Sequence, residues 1–333
     1  MHIRARAPGR VNLIGGHTDY TGGLVLPMAI DRGTVIEGER GGDEVVLSSR
    51  EEPGLAVLPL DLADPTVVEP AWARYAAGVV SVLGPTAGFT GAATTTIPIG
   101  AGLSSSAAFE VAIALALGFE GDALELALAC QQAEHVATGV PCGVMDQLAS
   151  AAGVDGHALL IDCSTLTVDP IALPESIEVL VVHSGQRRTL SATPYAERRE
   201  QCRAAEALVG PLRSASLDDV GGIPDPLLRR RARHVVGENG RVRAMAEALR
   251  NDDRRAAGEA MAASHASLRD DFEVSTPALD DLVARLSATA GVVGARLTGA
   301  GFGGCAVALV ERGTPVEGWR VAASAGATVE LQP

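Results

Sequence analysis

The chain has 333 residues, of which 47% are hydrophobic and 20% are charged, and its formal net charge is −14. This composition is typical of a globular protein, and the length is enough for two packed domains. The negative charge argues against nucleic acid as a partner. We expect no membrane span, because no apolar run reaches about 18 residues. We expect a cytoplasmic location, because residues 1–10 lack the layout of a signal peptide.

The basic residues and the cysteines exclude further classes of protein. All 27 basic residues are arginine. Walker A loops and protein kinases both place a lysine on the ATP phosphates, so the chain belongs to neither class. The five cysteines are scattered and lack the spacing of zinc ligands, so we expect buried free thiols.

Taken in chain order, the hydrophobic pattern predicts an α+β arrangement. Residues 1–50 predict short strands and turns, because Gly and Asp interrupt the apolar runs. Helices are predicted over residues 72–84, 107–117, 122–139, 194–210 and 227–250. Strands are predicted over residues 92–97, as a pair over 157–168, from Ile177 onward, and on both sides of a glycine loop in residues 292–311. A boundary near residue 175 divides two α+β domains.

The first motif is the segment PGRVNLIGGHTDY at residues 8–20. It places many hydrogen-bonding side chains between glycines, namely Arg10, Asn12, His17, Asp19 and Tyr20. Polar groups that converge in this way are typical of a small-ligand site. The alternative interpretation is a solvated loop.

The second motif is the segment PIGAGLSSSAA at residues 98–108. Gly100 and Gly102 let the backbone approach a ligand closely, and the serines stand where a helix begins. The free N–H groups at such a helix end favour a phosphate, and serine hydroxyls are suitable ligands for Mg²⁺. The alternative is a serine N-cap after a glycine turn.

The third motif, LTGAGFGGC at residues 297–305, contains a formal dinucleotide fingerprint, GxGxxG. That fingerprint must open a helix and precede an acidic residue by about 20 positions. Here a strand-like segment follows and the acidic residue is missing, so we reject a dinucleotide site.

A fourth segment, GVPCGVMDQ at residues 139–147, places the carboxylate of Asp146 among glycines and apolar residues. A partly buried carboxylate requires a partner, and Arg10 is the natural candidate. The alternative is an aspartate that caps a helix.

Together these segments resemble the galactokinase family of the GHMP small-molecule kinase superfamily. Residues 9–20 match the family signature Gly-Arg-x-Asn-Leu-Ile-Gly-acidic-His-x-Asp-Tyr, except that Gly16 stands at the acidic position. The other matching segments are GLSSSAA, GAGFGGC, Glu134-His135 with GVPCGVMDQ, Arg233-His234 with Glu238, and Ser264-His265 through Asp271. The resemblance therefore spans nearly the whole chain in the right order.

The resemblance implies an α+β, two-domain GHMP kinase fold. Residues 1–175 are expected to form an N-terminal domain like ribosomal protein S5 domain 2, and residues 176–333 a ferredoxin-like C-terminal domain. It also implies that ATP lies between the domains, with its phosphates under the serine loop. Members of the family often act as monomers, so we expect a monomer.

The resemblance also implies roles for individual residues, which we carry over by position. Asp146 is expected to accept the proton of the anomeric hydroxyl, with Arg10 beside it as the second catalytic residue. The expected sugar-binding residues are Gly16, His17, Asp19, Asp146 and Tyr195. The expected ATP-binding residues are Trp72, Gly100, Gly102, Leu103, Ser104, Ser105, Ser106 and Ala107. The expected Mg²⁺ ligands are Ser106 and Glu134.

The departure at Gly16 bears on the identity of the sugar. The acidic residue of the family resembles a clamp on the hydroxyl at C6, and a lost hydrogen bond to a charged group costs about 1.5–3 kcal/mol. Glycine is also expected to open space there. We therefore predict a higher-carbon sugar (C7–C8) or its phosphate, as for the octose 1-kinases of lincosamide antibiotic biosynthesis. Arg187 and Arg188 are candidates to bind a terminal phosphate.

Two alternatives stay open from the sequence. The first is an ordinary galactokinase, which converts galactose to galactose 1-phosphate. The second is a non-catalytic sugar sensor, a class marked by losses from the serine loop. That loop is complete here from Ser104 to Ala108, and Asp146 and Arg10 are both present, which favours an enzyme.

Overall fold

The computed structural model describes residues 1–186 and 192–332, and their arrangement is α+β. The strands are β1 (His2–Ile14), β2 (Leu24–Arg40), β3 (Glu44–Ser49), β4 (Leu55–Pro59), β5 (Phe89–Thr95), β6 (His157–Asp162), β7 (Thr167–Ala172), β8 (Ile177–His183), β9 (Val292–Leu297), β10 (Cys305–Glu311), β11 (Trp319–Val321) and β12 (Thr328–Gln332). The helices are α1 (Ala73–Leu83), α2 (Ser105–Ala116), α3 (Ala123–Thr138), α4 (Met145–Ala152), α5 (Ala192–Val209), α6 (Leu217–Gly221), α7 (Pro226–Arg250), α8 (Arg254–Asp270) and α9 (Pro277–Ser287).

The first sheet has the strand order β12-β1-β2-β5-β3-β4, and β6 joins it through β2 and carries β7. The pairs are antiparallel except for β3 with β5. The prediction of short strands and turns over residues 1–50 is wrong, because β1 and β2 are long strands. Their register shifts between Pro8 and Arg10 and between Asn12 and Ile14. Such bulges let a strand continue through Gly and Pro and turn its side chains toward a new direction.

Four helices follow the first strands and pack on this sheet. The predicted helices at α1, α2 and α3 are confirmed, and α3 begins with a capping box in which Asp122 and Glu125 each accept from the other's backbone N–H. Their small residues, such as Ala76, Ala112 and Ala133, form one core with the sheet. The short helix α4 was not predicted, and it places Asp146 in its first turn.

The second sheet is antiparallel, with the strand order β11-β8-β10-β9. The glycine loop at residues 298–304 joins β9 to β10, as predicted, and the helices predicted at α5 and α7 are confirmed. The predicted boundary after residue 175 falls between β7 and β8. However, β12 returns to the first sheet and pairs with β1, from Arg6↔Thr328 to His2↔Gln332.

The two sheets share part of their hydrophobic core. Val11 and Leu13 of β1 belong to the same buried cluster as Met245 of α7 and Val307 of β10. The residues that begin the chain are therefore packed against the second half of the molecule. This contact places the segment after β1 at the junction of the two halves.

Two further predictions concern the whole chain. All five cysteine thiols are free, and Cys130, Cys202 and Cys305 are buried as expected, whereas Cys142 and Cys163 are partly exposed. Among residues 1–186 and 192–332, no helix combines the length and the apolar character needed to cross a membrane.

Candidate active site

An open cleft of about 890 Å³ runs along the junction of the two halves. Most of its wall comes from the first half of the chain, and Tyr195, Gly299, Ala300 and Phe302 contribute from the second half. Almost every residue predicted for the site lines this cleft. The exceptions are Leu103 and Ala107, whose side chains are buried. The carbonyl of Leu103 accepts from the backbone N–H of Arg10.

Asp146 stands in the cleft with its carboxylate held by two side chains. Arg10 donates from Nε to Oδ1 at 2.7 Å and from Nη2 to Oδ2 at 2.5 Å, which is a bidentate pair. Ser104 donates to Oδ2 at 2.5 Å. The Arg10 side chain is 6% exposed and that of Asp146 is 29% exposed, so the pair lies at the cleft wall with the carboxylate on the open side. The predicted partnership of Arg10 and Asp146 is thus present.

The serine loop has the shape of a phosphate cradle. Gly100 and Gly102 have φ near +76°, and a Cβ added at either one would meet open space within 4 Å. Ser104 is also left-handed, with φ +57°, and α2 begins at the next residue. Because the Ser104 hydroxyl bonds Asp146, it does not cap α2, whose first N–H groups are at the cleft. The loop therefore fits the phosphates of ATP.

The predicted metal ligands lie on facing helices. Ser106 of α2 donates to Oε1 of Glu134 on α3 at 3.4 Å, so two oxygen donors are adjacent at the cleft. Burial, together with the negative charge of Asp146, raises the pKa of Glu134. Gln147 donates to Glu134 at 2.6 Å and to the buried Glu110 at 3.1 Å, which fixes the Glu134 carboxyl from behind. Hard oxygen donors in excess negative charge fit Mg²⁺.

The far end of the cleft is aromatic. Trp72 donates from its indole N–H to the carbonyl of Pro53 at 3.0 Å, and its ring lies edge-to-face with Phe109 at a centroid distance of 6.0 Å. Tyr75, three residues further along, also lines the cleft. These rings offer flat surfaces to a nucleobase.

His17 follows β1 in a left-handed conformation, with φ +63°. Its Nε2 lies 3.1 Å from the carbonyl oxygen of Ala300, and a carbonyl only accepts, so Nε2 carries the hydrogen. Its Nδ1 then accepts from the Tyr20 hydroxyl at 3.0 Å. Both ring nitrogens therefore have partners within the protein, and the predicted sugar contact of His17 stays a prediction.

Asp19 and Tyr195 stand next to the turn that carries His17. Burial, with the negative charge of Asp146, raises the pKa of Asp19 to about 6. Gly143 leaves room for this carboxylate, since a Cβ there would lie 2.1 Å from Oδ2 of Asp19. The Tyr195 ring lies 5.7 Å from that of His17, centroid to centroid. The structure therefore brings the predicted sugar residues together on one wall.

The open space expected at Gly16 is not there. A Cβ added at Gly16 would lie 2.8 Å from Nη2 of Arg296 and 3.3 Å from Leu268. Arg296 is 1% exposed, so a buried guanidinium already fills that volume. The other candidates for a longer substrate, Arg187 and Arg188, lie outside the residues that the structure describes.

Several residues and contacts of the cleft are not predicted from the sequence. Tyr75 could have been found from Trp72, because residues three apart share one face of a helix. Phe109 was assigned to a buried helix, since its apolar surroundings resemble a core. The contact of Ser104 with Asp146 had no signal in the local pattern, because the two residues are far apart in sequence.

Comparison with known proteins gives matches over most of the chain. Residues 2–40 match the galactokinase galactose-binding signature, residues 73–154 the GHMP kinases N terminal domain, and residues 245–326 the GHMP kinases C terminal domain. These matches include the motif at residues 8–20, the serine loop and the third glycine motif. The predicted two-domain GHMP kinase fold is confirmed.

Individual relatives agree with these matches. Galactokinase from Homo sapiens is 44% identical over 328 residues, which cover 93% of this chain and 84% of that protein. Galactokinase from Roseiflexus sp. (strain RS-1) is 46% identical over 341 residues, with the same shares of 93% and 84%. A crystal structure of Lactococcus lactis galactokinase complexed with galactose superposes with a TM-score of 0.91 at 32% identity, covering 98% of this chain and 95% of the other. The chain belongs to the galactokinase family of the GHMP kinases, and it is a sugar kinase.

Proposed function

We propose that the protein transfers the γ-phosphoryl group of ATP to the anomeric hydroxyl of galactose. The observation that carries this proposal is the Asp146 carboxylate, held in the cleft by Arg10 and Ser104 next to the N-terminus of α2. The galactose-binding signature over residues 2–40 and the galactokinase relatives support galactose as the sugar.

The hydrogen bonds of Asp146 leave one place for the substrate hydroxyl. A carboxylate offers about four lone-pair sites, and here Oδ2 accepts two hydrogen bonds whereas Oδ1 accepts one. The free site on Oδ1 accepts the hydrogen of the anomeric hydroxyl and takes the proton as the oxygen attacks phosphorus. Arg10 remains beside the carboxylate and stabilises negative charge on the attacking oxygen.

The serine loop and the two facing helices would hold the phosphates and the metal. Mg²⁺, when bound, neutralises charge on the β- and γ-phosphates, and Ser106 with Glu134 would hold it. The N–H groups of Ser105 and Ser106 are placed to donate to phosphate oxygens at the start of α2. Gly102 accepts from Nη1 of Arg10 at 2.7 Å, which ties the loop to the catalytic pair.

A seven- or eight-carbon sugar, and with it a role in antibiotic biosynthesis, stays a prediction from Gly16 alone. The volume that a longer sugar would need beside Gly16 is filled by Arg296 and Leu268. The galactokinase relatives favour galactose, so galactose is the substrate that we propose.

Steady-state kinetics on a panel of sugars test this choice. The panel contains galactose and seven- and eight-carbon sugars, with and without a terminal phosphate, at saturating ATP and Mg²⁺. We expect galactose to have the highest kcat/KM, at about 10⁴ M⁻¹s⁻¹ or above, the low end of ordinary enzymes. A longer sugar that exceeds galactose by tenfold would replace it as the substrate.

A further inference from the structure

Two side chains of α7 hold the backbone of the turn that carries the sugar-binding residues. His234 and Glu238 stand one helical turn apart, so they lie on the same face of α7. Both are completely buried and reach across to the end of β1, where Glu238 bonds Gly15 and Gly16 and His234 bonds Gly16. Neither residue lines the cleft, so neither touches the substrate.

Glu238 accepts from the turn with one carboxylate oxygen. Its Oε1 accepts from the backbone N–H of Gly15 at 3.0 Å and of Gly16 at 3.3 Å, and Ser264 donates to the same oxygen at 2.6 Å. Burial would raise the pKa of Glu238, but the guanidinium groups of Arg241 and Arg296 and the hydrogen bond from Ser264 hold it well below its usual range. The carboxylate is therefore a permanent acceptor over the whole physiological range of pH.

His234 binds the next peptide unit, which joins Gly16 to His17. Its Nε2 donates to the carbonyl oxygen of Gly16 at 2.9 Å, and its Nδ1 lies 3.0 Å from the hydroxyl of Ser267 on α8. Burial lowers the pKa of His234 to about 4, so the ring is neutral at pH 7. Gly16 is thus bonded through both its N–H and its C=O.

The residue that follows needs such support. His17 has a φ of +63°, a conformation that persists in a residue with a side chain only when its surroundings impose it. The hydrogen bond of His234 fixes the peptide that joins Gly16 to His17, and those of Glu238 fix the two peptides before it. Two residues later the chain reaches Asp19, so a small rotation at Gly16 would displace both residues along the cleft wall.

We propose that His234 and Glu238 are positioning residues for the sugar, and that they set the place of His17 and Asp19 by clamping the backbone of Gly15 and Gly16. The proposal rests on the proposed function, in that the sugar binds at this turn. It assigns part of the sugar specificity to a helix of the second half of the chain that the sugar never contacts.

A pair of substitutions at His234 tests the clamp. His234→Gln can keep an amide donor near the position of Nε2, whereas His234→Leu fills a similar volume without a donor. We expect His234→Leu to raise the KM of the sugar by about 10-fold, the typical effect of one lost hydrogen bond, and to leave the KM of ATP within twofold and kcat within threefold. We expect His234→Gln to restore the sugar KM to within about threefold of the wild type.

A control separates positioning from general loss of stability. Leu249→Ala removes a buried side chain from the last turn of the same helix, beside Pro174 and Ile177 and about three helical turns from Glu238, and should lower Tm at least as much as His234→Leu with an unchanged sugar KM. Ser267→Ala removes the hydroxyl next to Nδ1 of His234 but keeps the His234 ring, so it should raise the sugar KM by about two- to threefold. This variant replaces His234→Leu in the test if His234→Leu does not fold.

The outcomes distinguish the clamp from the proposed function. An unchanged sugar KM in His234→Leu or Ser267→Ala, or equal effects in the Leu and Gln variants, would overturn the clamp while the kinase assignment stands. Failure of the wild type to phosphorylate galactose or any other sugar would instead overturn the proposed function. All variants are measured with the sugar that the wild type uses best.

Discussion

At the scale of single residues, the catalytic pair depends on a contact between distant parts of the chain. The sequence predicts that Asp146 has a partner, because a partly buried carboxylate requires one, and Arg10 in the motif at residues 8–20 is the natural candidate. The local pattern does not predict the contact of Ser104 with Asp146, which a left-handed backbone at Ser104 makes possible. For the same reason the sequence wrongly predicts open space beside Gly16, because Arg296 fills that space and its position depends on the tertiary structure.

Asp146→Asn tests the role of this carboxylate. The amide keeps the size of the side chain but cannot take a proton, so we expect kcat to fall by about 10²-fold or more, the scale of general-base loss. The KM of ATP should change little, since the phosphate loop is intact. Asp169→Asn is the matched control, because it breaks an exposed pair with Arg250 away from the cleft. A folded Asp146→Asn protein with nearly wild-type kcat would remove Asp146 from the proposed role.

Asp19 predicts a pH dependence of sugar binding. Its pKa is raised to about 6, so the carboxylate gains a proton, and loses an acceptor for sugar hydroxyls, as the pH falls through that value. We expect the KM of galactose to be constant above pH 7 and to rise by up to about tenfold per pH unit below 6, the slope for one proton. The KM of galactose is measured from pH 5 to 8 at saturating ATP.

The control for this dependence is Asp19→Asn, which has no carboxyl group to titrate at that position. Its galactose KM should be higher than that of the wild type and nearly independent of pH over the same range. If the rise below pH 6 persists in Asp19→Asn, another group is responsible.

At the scale of elements, the helices α1, α2, α3, α5 and α7 are predicted, whereas α4, α6, α8, α9 and the long strands β1 and β2 are not. The segments at α1, α2 and α3 have long apolar runs of good helix formers, and the structure begins and ends them within a few residues of the prediction. In β1 and β2, by contrast, Gly and Pro suggest turns, but here they stand in continuous strands with register shifts at Pro8 and Asn12. The shifts are part of the site, because Arg10 and Asn12 lie beside them.

The glycine at position 102 gives a prediction for the phosphate loop. Its φ is +76° and the space beside it is open, so Gly102→Ala adds strain of about 1–2 kcal/mol and a methyl group in the cleft. We expect the KM of ATP to rise by about tenfold. Gly156→Ala is the control, because Gly156 has a φ of +70° and open space but lies outside the cleft. If both variants lose the same Tm while Gly102→Ala keeps an unchanged KM for ATP, the loop does not contribute to ATP binding.

At the scale of the whole molecule, the two halves form one unit around the cleft. The sequence predicts two α+β domains with a boundary near residue 175. It does not predict that β12 pairs with β1, because contacts between the two ends of a chain leave no local pattern. The shared core of β1, α7 and β10 also consists of contacts between distant parts of the chain, so no local pattern predicts it. This core brings His234 and Glu238 of the second half to the sugar-binding turn of the first.

The identity of the product shows whether the protein phosphorylates the anomeric hydroxyl of galactose. The protein is incubated with ATP, Mg²⁺ and galactose labelled with ¹³C at C1, and the product is examined by ³¹P and ¹³C NMR. Because Asp146 is proposed to activate the anomeric hydroxyl, we expect a single phosphorylated sugar with phosphorus–carbon coupling at C1. A phosphate on any other carbon, or ATP turnover without a phosphorylated sugar, would contradict it.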